Sequence, residues 1–165
     1  MDRRAVGTGL VLVLAISLFT PEARADDGLV TLLLTLPAPA QSVFCLWRAS
    51  GYGTGSWEAA GWVVRDGEGL AVLPWPANRT AYRESWSGER PPGAVGLIHT
   101  HPESTDPRPS ETDVLTARDL GLPVTAVSRR GIFTAFPDGR IVRNGDDTWY
   151  LRFRARLCDP SAATG

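Results

Sequence analysis

Five side chains in this 165-residue chain have the types and spacing for hydrolytic chemistry: Glu58, His99, His101, Ser110 and Asp113. His99 and His101 stand one residue apart behind the apolar run Val95–Ile98. On a strand that spacing puts both imidazoles on one face, about 6.6 Å apart along the backbone, so both can turn onto one ion at ~2.0–2.1 Å. The pair alone is a weak signal. Asp113 adds a carboxylate, and two histidines with one carboxylate form the three-ligand kind of zinc site that leaves a fourth position open to water. Asp106, in the intervening loop, is the alternative third ligand. Ser110 and Asp113 lie three apart and therefore share the first turn of a helix. The same spacing reads equally well as a capping box, with Ser110 as N-cap and Asp113 at the third helical position. For Ser110 the two readings are compatible; for Asp113 they compete.

These residues need elements to hold them. Val30–Leu36 predicts a strand closed by prolines, and the apolar spacing of Val43, Phe44, Leu46 and Trp47 predicts a helix. Two strands follow around Asp66-Gly67, a dipeptide that signals a hairpin. Loop residues 83–93 are polar and end in prolines. They read either as plain surface or as one wall of a substrate groove. A strand from Ala94, too continuously apolar for a sheet edge, carries the histidines. A helix of about ten residues starts at Ser110 and stops at Gly121. Three further strands, separated by turns, run from Pro123 to Asn144. The order predicts one compact α/β domain with a mixed sheet.

The first 25 residues read as a signal peptide: a basic start, an apolar core of roughly fifteen residues, and Ala23-Arg24-Ala25 as the cleavage pattern. That core is shorter than the ~20 residues of a membrane span, although an uncleaved anchor is the competing reading. Cleavage near Ala25 leaves a domain over residues 26–165, periplasmic or secreted, with no membrane span. The leader removes a net charge of +1 from a chain of formal charge −1, leaving about −2. That balance excludes the strongly basic face nucleic acid requires. Cys45 and Cys158 are the two cysteines, and an exported pair predicts a disulfide, with two buried thiols as the alternative.

The combination of His99-Thr100-His101-Pro102, a short loop and Ser110-Glu111-Thr112-Asp113 resembles the JAMM (MPN+) motif of the MPN/JAB metallopeptidases. The loop wording is most similar to the RadC-like bacterial branch, with a spacer one residue longer. Glu58 ahead of Gly61 matches the family's upstream glutamate, and Asn78 matches its asparagine after the second strand. The resemblance runs from Pro37 to Asn144 and implies an MPN/JAB-like, cytidine-deaminase-like sheet flanked by helices. It implies Zn²⁺ held by His99, His101 and Asp113, with a bound water acidified toward neutral pH. Glu58 would move the proton and Ser110 would hydrogen-bond the oxyanion. Trp57 and Trp62 beside Glu58 read first as core packing and second as shielding of its carboxylate. The implied activity is hydrolysis of amide or isopeptide bonds in a peptide or protein, with a cell-wall peptide the substrate best placed for an exported enzyme. The alternatives are an inactive MPN-fold scaffold and a structural subunit of an envelope assembly.

Overall fold

Helix α1 (Ala25–Thr35) and helix α2 (Pro37–Ala49) precede a six-stranded sheet in the computed structural model, which describes residues 25–67, 69–76, 86–153 and 158. The expected leader up to residue 24 and residues 77–85, which include Asn78 and the first three residues of the loop, lie outside the described residues. The expected cleavage point falls at the first residue of α1.

The strand expected over Val30–Leu36 is instead the second half of α1. Its burial repeats at helical spacing: Val30, Leu33 and Leu34 are buried, while Leu32 is 48% exposed. A run of leucines hides which period applies, and only the buried face reveals it. Leu36 then turns extended (φ −70°, ψ 131°), as a residue before proline prefers, and Pro37 opens α2. Helix α2, which begins earlier than the sequence spacing indicates, buries Ala40, Val43, Phe44 and Trp47 along one stripe.

The strands are β1 (Ala60–Asp66), β2 (Gly69–Pro74), β3 (Ala94–Thr100), β4 (Val124–Ser128), β5 (Gly131–Ala135) and β6 (Ile141–Gly145), in the spatial order β2-β1-β3-β4-β5-β6. The β1–β2 hairpin, the central position of β3 and the final three strands agree with the sequence reading. Among the described residues only β3 and β4 pair in parallel; their crossover is helix α3 (Glu111–Leu120), closed by Gly121 in the left-handed conformation (φ 64°). A short 3₁₀ turn, Trp149–Arg152, was not foreseen from sequence. It is held by Trp149 Nε1 donating to the Ser128 carbonyl at 2.8 Å.

The sheet separates two cores. On one face Val30, Leu33, Val43, Phe44 and Trp47 of α1 and α2 meet Val63, Ile98, Val127 and Ile132. On the other, Trp62, Val64, Leu97, Val124 and Ala135 meet Ala117 of α3. Cys45 and Cys158 are joined, tying α2 to the C-terminal segment across 113 residues. Among the described residues no helix is long and apolar enough to cross a membrane.

Candidate metal centre

His99 leaves the sheet at the C-terminal end of β3, on the same face as Leu97 and hence toward α3. Thr100 points the opposite way and is buried. It stitches β3 to the start of β1 twice: its N–H donates to the Ala59 carbonyl, and its Oγ1 accepts from the Ala59 N–H, both at 2.9 Å. This stitch fixes the backbone next to Glu58. His101 continues the pairing with β4, its N–H donating to the Val127 carbonyl at 2.8 Å. Alternation therefore delivers both imidazoles to one side from a backbone anchored on both neighbours.

The three expected ligands converge. His99 Nε2 lies 2.9 Å from His101 Nε2 and 3.5 Å from Asp113 Oδ1, and His101 Nε2 lies 3.7 Å from Asp113 Oδ2. Ligands at ~2.0–2.1 Å in a tetrahedron stand about 3.3 Å apart, and these separations bracket that value. One nitrogen or oxygen from each residue can thus hold a metal ion together. His101 Nδ1 is engaged by the Asp106 carbonyl at 2.7 Å, as its N–H donor. Once His101 is neutral, that contact leaves Nε2 with the lone pair facing the cluster, the outer-shell arrangement that orients a metal-binding imidazole. Asp106 thus contributes through its main chain. Its carboxylate accepts from the Arg108 N–H at 2.9 Å and is not among the groups that converge with the two histidines.

Ser110 and Asp113 form a complete capping box at the start of α3. The Asp113 N–H donates to Ser110 Oγ at 3.2 Å. Ser110 Oγ and the Ser110 N–H both donate to Asp113 Oδ2, at 2.8 and 2.6 Å. The competition expected for Asp113 is resolved by dividing its oxygens: Oδ2 closes the cap and Oδ1 turns toward His99. The longer spacer between His101 and Ser110 is absorbed by a loop pinned at several points. The Glu103 N–H donates to the Gly53 carbonyl at 2.8 Å, Thr105 Oγ1 to the Pro102 carbonyl at 2.9 Å, and Arg130 to the Thr105 carbonyl.

Electrostatics suit the donors to a cation. Burial pushes His99 down to about 4; the Asp113 carboxylate opposes this and the neighbouring His101 charge assists it. His99 is therefore a neutral imidazole at neutral pH. Burial also opposes charge on His101, but Asp113, the Asp106 carbonyl and Glu58 outweigh it and raise its pKa. Burial works against the Asp113 carboxylate too, yet His101, His99 and Ser110 together hold its pKa below the ordinary range.

Glu58 lines the same cleft, a volume of about 710 Å³ that also takes in the two histidines, Ser110 and Asp113. Trp57 and Trp62 do not line it. Trp62 is buried in the α3-side core, and Trp57 packs over Gly51 and Gly55 with its Nε1 3.4 Å from the Ala49 carbonyl. The core-packing role holds for Trp62, whereas Trp57 is half-buried on the Gly51–Gly55 loop outside both cores. Thr100, the Asp106 carbonyl and Trp75, which does line the cleft, escaped the sequence reading. The signal for Trp75 is the hairpin register, which sets it beside Ala60.

A family model described as prokaryotic homologs of the JAB domain matches residues 53–144, more than half of the chain. The match begins after α2, so both N-terminal helices precede it. Among curated proteins none matches.

Proposed function

The chain belongs to the family of prokaryotic homologs of the JAB domain, and from that premise we propose that it is an exported zinc-dependent metallopeptidase hydrolysing amide or isopeptide bonds. The observation that carries this reading is the convergence of His99, His101 and Asp113 on one point, beside Glu58, in an open cleft. Zn²⁺ suits two imidazoles and one carboxylate, and when bound there it supplies a polarised water with a pKa near 7. His99 arrives neutral and Asp113 anionic, so only His101 must shed a proton to join them. Glu58 accepts the proton of the attacking water and returns it to the leaving amine. Ser110 acts first as the clamp on Asp113, and rotation of its hydroxyl toward the cleft would let it donate to a developing oxyanion.

A peptide or protein is the substrate class, with cell-wall peptide favoured by the expected leader and consistent with the Cys45–Cys158 disulfide. No nucleic-acid partner fits the charge. The decisive experiment measures metal content and hydrolysis of amide substrates for the wild type and Glu58→Gln. The expected result is about one zinc per chain in both, with turnover in the wild type alone. A second reading, an inactive scaffold on the same fold, draws support from the capping box, which is built from protein atoms alone. Protein that binds no zinc when supplied with it would favour that reading and end the first.

A further inference from the structure

Beside the metal cluster the sheet builds a trough. Ala60 pairs with His99 across β1 and β3. On the other side, Gly61 pairs with Pro74, and the Trp75 N–H donates to the Ala60 carbonyl at 2.8 Å. Trp75, Ala60 and His99 therefore stand abreast, and directly opposed residues of antiparallel strands share a face. Ala60, the smallest side chain of the row, is the floor between a tryptophan wall and the metal-binding imidazole. All three border one cleft. Two interstrand spacings separate wall from imidazole, about 10 Å.

The wall is rigid. Trp75 sits between Pro74 and Pro76; the first fixes its own φ and the second confines Trp75 to extended backbone. Its ring packs at a tilt against Trp86 at 5.5 Å and Trp62 at 5.8 Å between centroids. Trp62 seals the core below, whereas Trp86 is 37% exposed, so the packed rings open to solvent at their outer end. An aromatic surface held this way loses little conformational freedom when a ligand covers it.

We propose that Trp75 walls a specificity subsite that takes a large aromatic side chain of the residue flanking the scissile amide. The proposal rests on the metallopeptidase reading, because the subsite is defined by its reach from a carbonyl seated over the metal cluster. A flanking aromatic side chain extends from that carbonyl across Ala60 and lays its ring against Trp75. Small flanking residues reach only the floor and gain nothing from the wall.

Two metal-directed probes, glycine hydroxamate and phenylalanine hydroxamate, test this by titration calorimetry on the zinc-loaded protein. Both carry the same anchor and differ in the side chain that would meet Trp75. Phenylalanine hydroxamate should bind roughly tenfold or more tightly, the scale of burying one aromatic side chain. In Trp75→Ala the affinity ratio should fall to near one. Trp75→Phe, which keeps an aromatic wall and the ring packing, should retain most of it. A ratio near one in the wild type, or a ratio that survives in Trp75→Ala, overturns the subsite while leaving the metal site standing. Failure of both hydroxamates to bind zinc-loaded wild type overturns the metal-site reading and the subsite with it. A ratio near one accompanied by binding of N-acetylglucosamine oligomers that Trp75→Ala abolishes would assign the wall to a sugar ring instead and likewise overturn the proposal.

Discussion

Replacing Ser110 by alanine separates three roles that one hydroxyl could fill. In the structure Ser110 Oγ accepts from the Asp113 N–H and donates to Asp113 Oδ2, while the Ser110 main-chain N–H reaches the same Oδ2 independently. The variant loses the first two contacts and keeps the third. Loss of the cap costs about 1 kcal/mol, which for a domain of this size lowers Tm by about 3–5 °C. Asp113 stays tethered by one hydrogen bond rather than two, so zinc affinity should fall roughly tenfold, the lower end of the range for an outer-shell partner. If the hydroxyl also reaches the oxyanion, turnover at saturating zinc should drop by a further ~10²–10³-fold. Thermal unfolding of the metal-free protein, zinc titration against a chromophoric chelator, and hydrolysis at excess zinc read the three effects separately. Unchanged Tm together with unchanged zinc affinity would refute the account of Ser110 as the clamp that aims Asp113.

Three further outcomes follow from the geometry. Zinc affinity should rise about tenfold per pH unit below the raised pKa of His101 and level off above it, because the metal displaces that proton; His99, lowered to about 4, adds no slope near neutrality. The matching sign for metal-free stability is that the His101 contribution is present below about 6.5 and lost as pH rises through its folded value; a zinc affinity flat from about pH 6 to 7 would contradict this. Gly53→Ala should cost about 1–2 kcal/mol in denaturant unfolding, since φ is +76° there and an added Cβ would stand 3.3 Å from the His101 carbonyl oxygen; a neutral result would show that this loop is not held against the site. Replacing Cys45 and Cys158 by serine opens a 113-residue closure, worth about 4–5 kcal/mol on chain entropy, and should lower the denaturant midpoint accordingly; a loss under about 1 kcal/mol would place the restraint elsewhere.

The site was legible where chemistry and periodicity coincide. His-x-His on a strand has to share a face, and Ser-x-x-Asp at a helix start has to share a turn, so both halves of the metal cluster could be read locally. Their convergence depends on the β3–α3–β4 crossover, which no local pattern encodes, and it entered through resemblance to a family. Leucine-rich α1 was misread because Leu32, Leu33 and Leu34 satisfy a strand and a helix equally well until burial selects one period. The division of labour between the two oxygens of Asp113 was invisible for a different reason: sequence names a carboxylate but not the direction of each lone pair. Trp75 was missed because its importance comes from a partner two strands away.

The cap on α3 is assembled wholly from its own atoms, so the helix that offers Asp113 can form before any ion arrives. On the metallopeptidase reading, folding and charging are successive events, and the amount of working protein is governed by how much metal its surroundings deliver as well as by how much chain is made. Such a molecule can be stockpiled in an idle, intact form and brought to work by supply alone.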